Sequence, residues 1–504
     1  MSETERELPP LRAGRQPAGL ALLKMLDDPR APQLCVVAGP PGIGKSHLLT
    51  WLADACSGSD SPAGRRPDVA LSLSGMTADA TVWMLAARLG VYARTASDLV
   101  LALQKSDRPR LLLLWDLDRS TEPDVIALQV LGRLRDVPRL RVVAESVDGV
   151  RDALPEAAVL DLDEPRWTDP PRFSAWYEKQ RGNSPFRAAD VYPSPGLAEL
   201  AAMVPAGVSG QPAVDVRSAW WAAVGDEARP AFAALAGAEQ PLTLVQWSAI
   251  AGPESVEAAA QLLPTDPSAG GTWWLPAGPL RDTVTAGADP ADPAELARAL
   301  AGTIPRLPDR SPDYTHADPT ELGLVLRQAI RAGMAGEVLE DVELLAHADP
   351  VAVTSALAAE PSSWIAKAWS LAGPALIDEP DPTVRALIHS RSLAEAALIR
   401  LASGEGNPSE LLTALLDAEL LVCPDARTGA VLVTTGANGK DGVDACTSRS
   451  HVPRHWPDCV RLSGRSLATT FEGLDLRLNP ASPTSLTFPL DDLRRFAEGV
   501  RSPI

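Results

Sequence analysis

The stretch LCVVAGPPGIGKS at residues 34–46 decides the fold of the amino-terminal part of this chain. Its first five residues form a short apolar run bounded by Pro and Gly, which is typical of a buried parallel strand. The other eight match the pattern GxxxxGK[ST] and are Gly39, Pro40, Pro41, Gly42, Ile43, Gly44, Lys45 and Ser46. Because a helix is predicted to open directly after them, the pattern predicts a phosphate-binding loop.

The predicted loop assigns roles to its last residues. Lys45 is expected to bridge the terminal phosphates of a nucleotide, and the hydroxyl of Ser46 is expected to bind Mg²⁺. His47 follows on the first turn of the helix, where it either lines the nucleotide site or packs against the sheet. The alternative for the whole motif is a glycine-rich turn that holds no ligand.

Short apolar runs like the one at 34–38 recur along the first third of the chain. Segments with helical spacing separate them, and this alternation predicts a doubly wound parallel sheet flanked by helices. The further runs lie at 69–73, 111–115, 140–145 and 158–162.

The pattern changes twice after the predicted sheet. From about 196 to 420 the apolar residues fall at helical spacing, as in Leu322, Val325 and Leu326, which predicts a helical region. Over about the last 85 residues short strand-like runs return between Gly, Asn and Pro turns, which predicts a small β-rich region.

Composition excludes several classes of protein. The chain has 504 residues, a net charge of −19 and 45% hydrophobic residues, as an ordinary globular protein of several domains does. Its longest apolar runs are far below the roughly 18 residues that a membrane helix needs. The acidic start lacks the features of a signal peptide, and the five scattered cysteines suggest free thiols, so we expect a cytoplasmic protein.

Several segments resemble the STAND class of P-loop NTPases, the NACHT and NB-ARC-like signalling ATPases, and in particular its actinobacterial group. The resemblance rests on the phosphate loop, on AGR at 13–15, on LLLLWDLDRS at 111–120 and on RLRVVAESVDG at 139–149. It also includes DLDEPRWTDPPRFSAWYEKQ at 161–180, and two segments at 232–252 and 272–284 that are similar to a winged helix. The resemblance implies ATP or ADP with Mg²⁺ as ligands and places Arg15 near the nucleotide.

The resemblance also implies a domain order. We expect an arm, a nucleotide-binding domain, a helical subdomain, a winged helix, a helical sensor or spacer region and a β-rich region. Their expected bounds are 1–30, 31–165, 166–227, 228–290, 291–420 and 421–504.

The strand at 111–115 departs from the family pattern where magnesium is organised. Trp115 aligns with the family's magnesium-organising Asp, and the neighbouring Asp116 serves only if the strand end shifts by one residue, which needs a bulge or an altered turn. Asp116 is therefore a candidate magnesium ligand and catalytic residue, and a solvated turn is the alternative. No clear glutamate follows Asp116 to polarise the attacking water.

Two further departures concern cations that act on phosphate groups. The family's Thr-Arg aligns with Ser146 and Val147, and its histidine before PLRD aligns with Ala277 or Gly278. Phosphoryl transfer depends on such positioned charges, so the resemblance implies slow hydrolysis or none. Binding is expected to survive, because the loop amides, Lys45 and Ser46 remain.

Two other site hypotheses have weaker support. The helix at about 254–263 of the predicted winged helix carries Glu254 and Glu257 without Lys or Arg, so we do not expect it to read DNA. The second hypothesis is a zinc site, whose candidate ligands have unusual spacing; loop histidines and buried free cysteines are its alternative. These candidates are Cys446, His451, His455 and Cys459.

The residues and the resemblance together favour a signalling switch that binds ATP or ADP and hydrolyses ATP weakly or not at all. Only about 30 residues precede the first strand, so we expect output through a protein partner in trans or through a nucleotide-dependent homo-oligomer. The alternatives are a scaffold that binds no nucleotide and a competent ATPase that uses Asp116. A transcription regulator ranks last.

Overall fold

The computed structural model describes most of the chain between residues 11 and 499. The described residues are 11–57, 65–146, 154, 156–206, 215–263, 271–289, 291–339, 341–361, 363–404, 406–425, 427–436, 439–447, 451–453, 455–456, 459–480, 482 and 485–499. The chain divides into two compact units, Met1–Met334 and Ala335–Ile504.

A five-stranded parallel sheet forms the centre of the first unit. Its strands pair in the order β2-β3-β4-β1-β5, and every pairing is parallel. All five residues of β1 are buried, as expected for a central strand covered on both faces. The strands are β1 (Leu34–Ala38), β2 (Pro67–Ser72), β3 (Arg110–Trp115), β4 (Leu140–Glu145) and β5 (Ala158–Asp161), and they confirm the predicted sheet.

Helices that pack on this sheet have clear start signals. The hydroxyl of Thr77 accepts a hydrogen bond from the backbone N–H of Ala80, and Thr95 forms a capping box with Asp98. The helices of this part are α1 (Gln16–Asp27), α2 (Lys45–Cys56), α3 (Ala78–Leu89), α4 (Ala96–Gln104), α5 (Pro123–Val125) and α6 (Gly132–Leu134). A π-helical turn, Ile126–Leu131, joins α5 to α6.

The rest of the first unit is helical, with one small two-stranded sheet. Strand β6 (Leu242–Thr243) pairs with β7 (Thr272–Trp273) in antiparallel fashion. The helices are α7 (Pro170–Gln180), α8 (Ala188–Val191), α9 (Pro195–Ala202), α10 (Val216–Ala223), α11 (Arg229–Ala238), α12 (Leu244–Ala251), α13 (Pro253–Ala260), α14 (Pro279–Gly287), α15 (Pro293–Thr303) and α16 (Pro319–Arg331).

The second unit begins with helices and ends with a mixed sheet. Its helices are α17 (Ala335–Val338), α18 (Val342–His347), α19 (Pro350–Ala358), α20 (Trp364–Asp378), α21 (Pro382–Ala402), α22 (Pro408–Asp417), α23 (Gly464–Thr470) and α24 (Leu490–Ala497). The sheet has the order β11-β8-β10-β12-β13, with β9 on β10. Its strands are β8 (Glu419–Val422), β9 (Val433–Thr435), β10 (Asp441–Cys446), β11 (Val460–Ser463), β12 (Asp475–Leu478) and β13 (Leu486–Pro489).

The predicted fold class is confirmed: a parallel sheet with flanking helices precedes many helices and a small carboxy-terminal β-rich region. The boundary between the two units falls after Met334, inside the predicted 291–420 region, and the finer domain bounds stay predictions. In the part of the chain that the structure describes, no helix has the length and apolar character needed to cross a membrane.

Candidate functional site

The phosphate loop has the strand–loop–helix geometry that the motif predicts. Strand β1 ends at Ala38, and α2 begins at Lys45. Between them Gly39, Gly42 and Gly44 have φ angles of 129°, 80° and 101°, a region that side chains with a Cβ rarely adopt. The loop therefore depends on glycine at these three positions, as a backbone cradle for phosphate does.

The side chain of Lys45 contacts the backbone of the phosphate loop. Its side chain is buried, and its Nζ donates hydrogen bonds to the backbone oxygens of Gly39, at 2.7 Å, and Pro40, at 3.3 Å. The ammonium group thus lies beside the loop carbonyls. Pro40 and Pro41 are exposed, whereas Ile43 belongs to the core between the sheet and α2.

Glu145, which was not among the predicted site residues, contacts Ser46. The Ser46 hydroxyl donates to Oε1 of Glu145 at 3.0 Å, and the backbone N–H of Asp116 donates to the same oxygen at 3.1 Å. Glu145 is the last residue of β4 and pairs with Val37 of β1, next to the phosphate loop. The signal was present in the sequence, because a carboxylate ends the apolar strand LRVVAE just before the Ser146-Val147 pair.

Burial changes the acidity of this glutamate. The side chain is almost fully buried, which raises the pKa of Glu145 to about 7, and the nearby Asp116 charge raises it further. The hydrogen bonds from the Asp116 N–H and Ser46, and the charge of Lys45, act in the opposite direction. Near neutral pH the carboxyl is thus close to the midpoint of its titration.

The carboxylate of Asp116 contacts Ser72 and Arg119. Its φ of 53° places it in the left-handed region, so the chain turns sharply at the end of β3. Its Oδ2 accepts a hydrogen bond from the hydroxyl of Ser72 at 2.7 Å, and Oδ1 lies 3.7 Å from the guanidinium of Arg119. The structure therefore places the Asp116 carboxylate on the β2 side, and its predicted role as magnesium ligand and catalytic residue gains no support.

Trp115 is the last residue of β3, and no bulge between β3 and β4 shifts Asp116 into its position. The pairing of these strands is regular up to Leu114 opposite Ala144. The indole N–H of Trp115 points at the backbone oxygen of Ser46, at 3.4 Å. An altered turn at Asp116, rather than a shift of the strand, accounts for the local geometry.

Two oxygen donors are therefore together at the start of α2. Mg²⁺ is commonly held by one or two side-chain oxygens, with the rest of its shell from phosphates and water. The Ser46 hydroxyl and Glu145 carboxylate fit that requirement. The second oxygen of Glu145, Oε2, is buried and has no hydrogen-bond partner within the described part of the chain. These two residues would hold the ion.

Arg15 connects the phosphate loop to two later segments of the chain through hydrogen bonds to backbone oxygens. It is fully buried, and its guanidinium donates to the backbone oxygens of Ile43, Leu162 and Pro193 at 2.6, 2.8 and 3.1 Å, and to the hydroxyl of Thr168. Burial lowers the pKa of Arg15 to about 10. The side chain joins the loop, the end of β5 and the segment before α9, and its predicted proximity to the nucleotide stays a prediction.

Two later segments pack directly on Gly42 of the loop. Its backbone oxygen accepts a hydrogen bond from the N–H of Gly196 at 2.8 Å. On Gly278, a Cβ would lie 3.1 Å from the Cα of Gly42, and on Gly42 it would collide with Pro279. These approaches need residues without a Cβ. Gly278, one of the two residues that align with the histidine of the STAND pattern, thus offers only backbone to the loop.

Other predicted site residues have simpler surroundings. His47 is exposed on the first turn of α2, and Ser146 is buried after β4. Val147, the residue that takes the place of the family's arginine, lies outside the described residues. Glu254 and Glu257 are exposed on α13, which presents negative charge where a DNA reader would need positive charge.

The zinc hypothesis finds no support in the second unit. The Cys446 thiol contacts the backbone oxygen of His451 at 3.4 Å, and Nε2 of His451 lies 3.1 Å from Oε1 of Glu395. His455 is exposed, and Cys459 is partly buried. Among the residues that the structure describes, no group of three or more His, Cys, Asp or Glu side chains is placed to hold a metal ion.

Comparisons with known proteins give one family match and one structural likeness. Residues 394–495 match the model of the SseB protein N-terminal domain. No curated protein matches the chain. Among solved structures, the chain is similar to a STAND protein, a signal transduction ATPase with numerous domains that has a tetratricopeptide repeat sensor, from Pyrococcus horikoshii. The identity is 13% and the TM-score 0.43, over 78% of this chain and 72% of that one.

The family match covers about a fifth of the chain, all of it within the second unit. It includes the carboxy-terminal part of α21, the whole mixed sheet, α22, α23 and most of α24. The β-rich region is therefore similar to an SseB amino-terminal domain, and the phosphate loop lies outside this match.

Proposed function

We propose that this protein is a nucleotide-binding signalling switch of the STAND type, which binds ATP or ADP with Mg²⁺ and acts through protein partners. The observation that carries the proposal is the convergence of Lys45, Ser46 and Glu145 on one glycine loop between β1 and α2. These groups have the chemistry that nucleotide phosphates and their magnesium ion require.

The contacts on Gly42 support a switch rather than an isolated binding site. Gly196 belongs to α9, and Gly278 precedes α14, so two segments far apart in sequence meet the loop that would hold the phosphates. A nucleotide that alters this loop would change the free energy of those contacts. Such a differential affinity between two arrangements is all that a switch needs, and rapid turnover is not required.

Weak hydrolysis is part of the proposal. Arg119 occupies the place of the family's glutamate after Leu117 and Asp118, so it offers no carboxylate to a water molecule. Glu145 contacts the Ser46 hydroxyl, as a magnesium ligand would. We propose that the second unit recruits the protein partner in the cytoplasm, with homo-oligomerisation as the other form of output.

A scaffold that binds no nucleotide is the second candidate. It is favoured by the close packing of Gly278 and Pro279 on Gly42, which covers part of the loop. Under this alternative the Lys45 ammonium only helps to hold the loop, by donating to the backbone oxygens of Gly39 and Pro40, and the loop is a structural joint between the sheet and α14.

The test is to denature the purified protein and to identify released nucleotide by chromatography, beside Lys45→Ala. We expect nearly one ADP or ATP per chain in the native protein and loss of it in the variant. Lys24→Ala, which removes a lysine near the end of α1, is the matched control and should keep its nucleotide. If the native protein releases none and does not bind magnesium-ATP on titration, the scaffold is the better description.

A further inference from the structure

A cavity of about 310 Å³ opens beside the phosphate loop in the first unit. It lies at the edge of the sheet where the parallel strands end. Loop residue Pro41 lines it, together with Ser74 and Gly75 after β2 and three arginines, Arg119, Arg281 and Arg327. Parallel sheets bind ligands at this carboxyl edge, so the position is suited to a ligand group.

The three arginines come from three separate elements. Arg119 lies in the turn after β3, Arg281 in the first turn of α14 and Arg327 in α16. Burial lowers the pKa of Arg281, and the charges of Arg119 and Arg331 lower it further, whereas Glu239 and Asp282 raise it. Such a concentration of positive charge is notable in a chain of net charge −19.

Two carboxylates, Glu239 and Asp282, also line the cavity, and their ion-pair contacts with arginine are long. Arg281 and Arg119 have their ion-pair contacts to Glu239 at 3.9 Å and to Asp116 at 3.7 Å. Asp282 also lines the cavity, and its contact to Arg217 is 3.7 Å. These separations exceed the 2.7–3.2 Å of a direct hydrogen bond. The guanidinium N–H groups of Arg119 and Arg281 are therefore not committed to short bonds with these carboxylates.

Size and chemistry define what the cavity accepts. At about 310 Å³ it is at the lower end of the volumes found for sites that enclose a whole small molecule, so it suits one end of a nucleotide. Guanidinium groups present several donors in a plane and match the oxygens of phosphate. The contact with Pro41 places this chemistry next to the loop that would hold the other phosphates.

We infer that this cavity receives the terminal phosphate of a nucleoside triphosphate, with Arg119 and Arg281 as its specificity-determining residues. The inference rests on the proposed nucleotide site at the phosphate loop. A diphosphate leaves the cavity without its anion, whereas a triphosphate joins the turn after β3, α14 and α16 through one charged group. The cavity thus makes ATP and ADP favour different arrangements of the same segments.

The test measures the dissociation constants of magnesium-ATP and magnesium-ADP by titration calorimetry for the full chain and for Arg119→Gln and Arg281→Gln. Loss of a charge-assisted hydrogen bond to phosphate weakens binding about tenfold or more. We expect each variant to lose at least that much affinity for ATP and to keep its ADP affinity within about twofold. Arg88→Gln, which changes an exposed arginine at the end of α3, is the control and should leave both constants unchanged.

The outcomes separate this inference from the proposed function. ADP binding that survives in every variant, with an unchanged ratio of ATP to ADP affinity, overturns the inference and leaves the nucleotide site standing. Absence of ADP and ATP binding in the native chain overturns both. If the native chain binds neither nucleotide, inorganic phosphate is titrated into it. Saturable binding that Arg281→Gln abolishes then identifies a site for a free anion and overturns the assignment to a nucleotide phosphate.

Discussion

Glu145→Gln should stabilise the first unit at alkaline pH while weakening magnesium-dependent binding. The folded carboxyl titrates with a pKa of about 7, against an ordinary value of 4.5. Between these pH values the folded state holds more protons than the unfolded state, so stability falls as pH rises and the full cost is present above pH ~7. The difference of pKa corresponds to about 3 kcal/mol, an upper value that an uncharged amide would recover.

Glutamine keeps the shape of the side chain and one oxygen for the Ser46 hydroxyl and the Asp116 N–H. Its amide nitrogen would lie where Oε2 is buried and unpaired in the described structure, so part of the gain is offset. Calorimetric melting in the presence of EDTA is the assay. The melting temperature of the variant should equal that of the native protein near pH 4.5 and should be roughly 5 °C higher at pH 8.

The refuting result is a melting difference that stays constant between those pH values, because a buried, titrating Glu145 must make it grow. A second measurement addresses function. With Mg²⁺ present, the dissociation constant of ATP at pH 8 should be at least about tenfold higher in the variant, as expected when a ligand oxygen of a metal site is lost. Equal affinity would mean that Glu145 does not bind the ion.

Two further predictions concern packing and burial. Gly196→Ala puts a Cβ 3.0 Å from the Cα and the backbone oxygen of Gly42. It should therefore lower the stability of the first unit by about 1–3 kcal/mol, measured in thermal melts. Gly302→Ala is the control and should not destabilise the unit, because a Cβ on Gly302 faces open space. His389 is fully buried against Trp369, and burial lowers the pKa of His389 to about 4. The stability that the neutral imidazole contributes is therefore lost as pH falls from ~6.5 towards ~4. His389→Phe should remove about 3 kcal/mol of that pH dependence from denaturant unfolding of the second unit, and parallel pH profiles would contradict it.

The local signals in the sequence were sufficient for the fold of the sheet domain. Apolar runs bounded by Gly and Pro became β1 to β5, and the GxxxxGK[ST] pattern became a loop with three glycines at positive φ. These features follow from short-range rules, because a buried parallel strand needs apolar residues on both faces and a tight loop needs residues without a Cβ.

Tertiary structure decided which carboxylate lies beside Ser46. The strand LLLLW is apolar throughout, so its pattern does not encode which side chain at its end faces the loop. The left-handed turn at Asp116 directs that carboxylate to Ser72, and the pairing of β4 with β1 brings Glu145 to Ser46. Strand neighbours that are far apart in sequence settled the question.

The sequence by itself determined the phosphate loop, its strand and its helix, because each depends on residues only a few positions apart. Only the tertiary structure decided which groups surround that loop. Arg119, Arg281 and Arg327 are separated by up to about 200 residues and share a cavity because α14 and α16 lie with the turn after β3. The local pattern of the sequence does not predict this shared cavity, because the cavity depends on how whole helices pack rather than on the preferences of neighbouring residues.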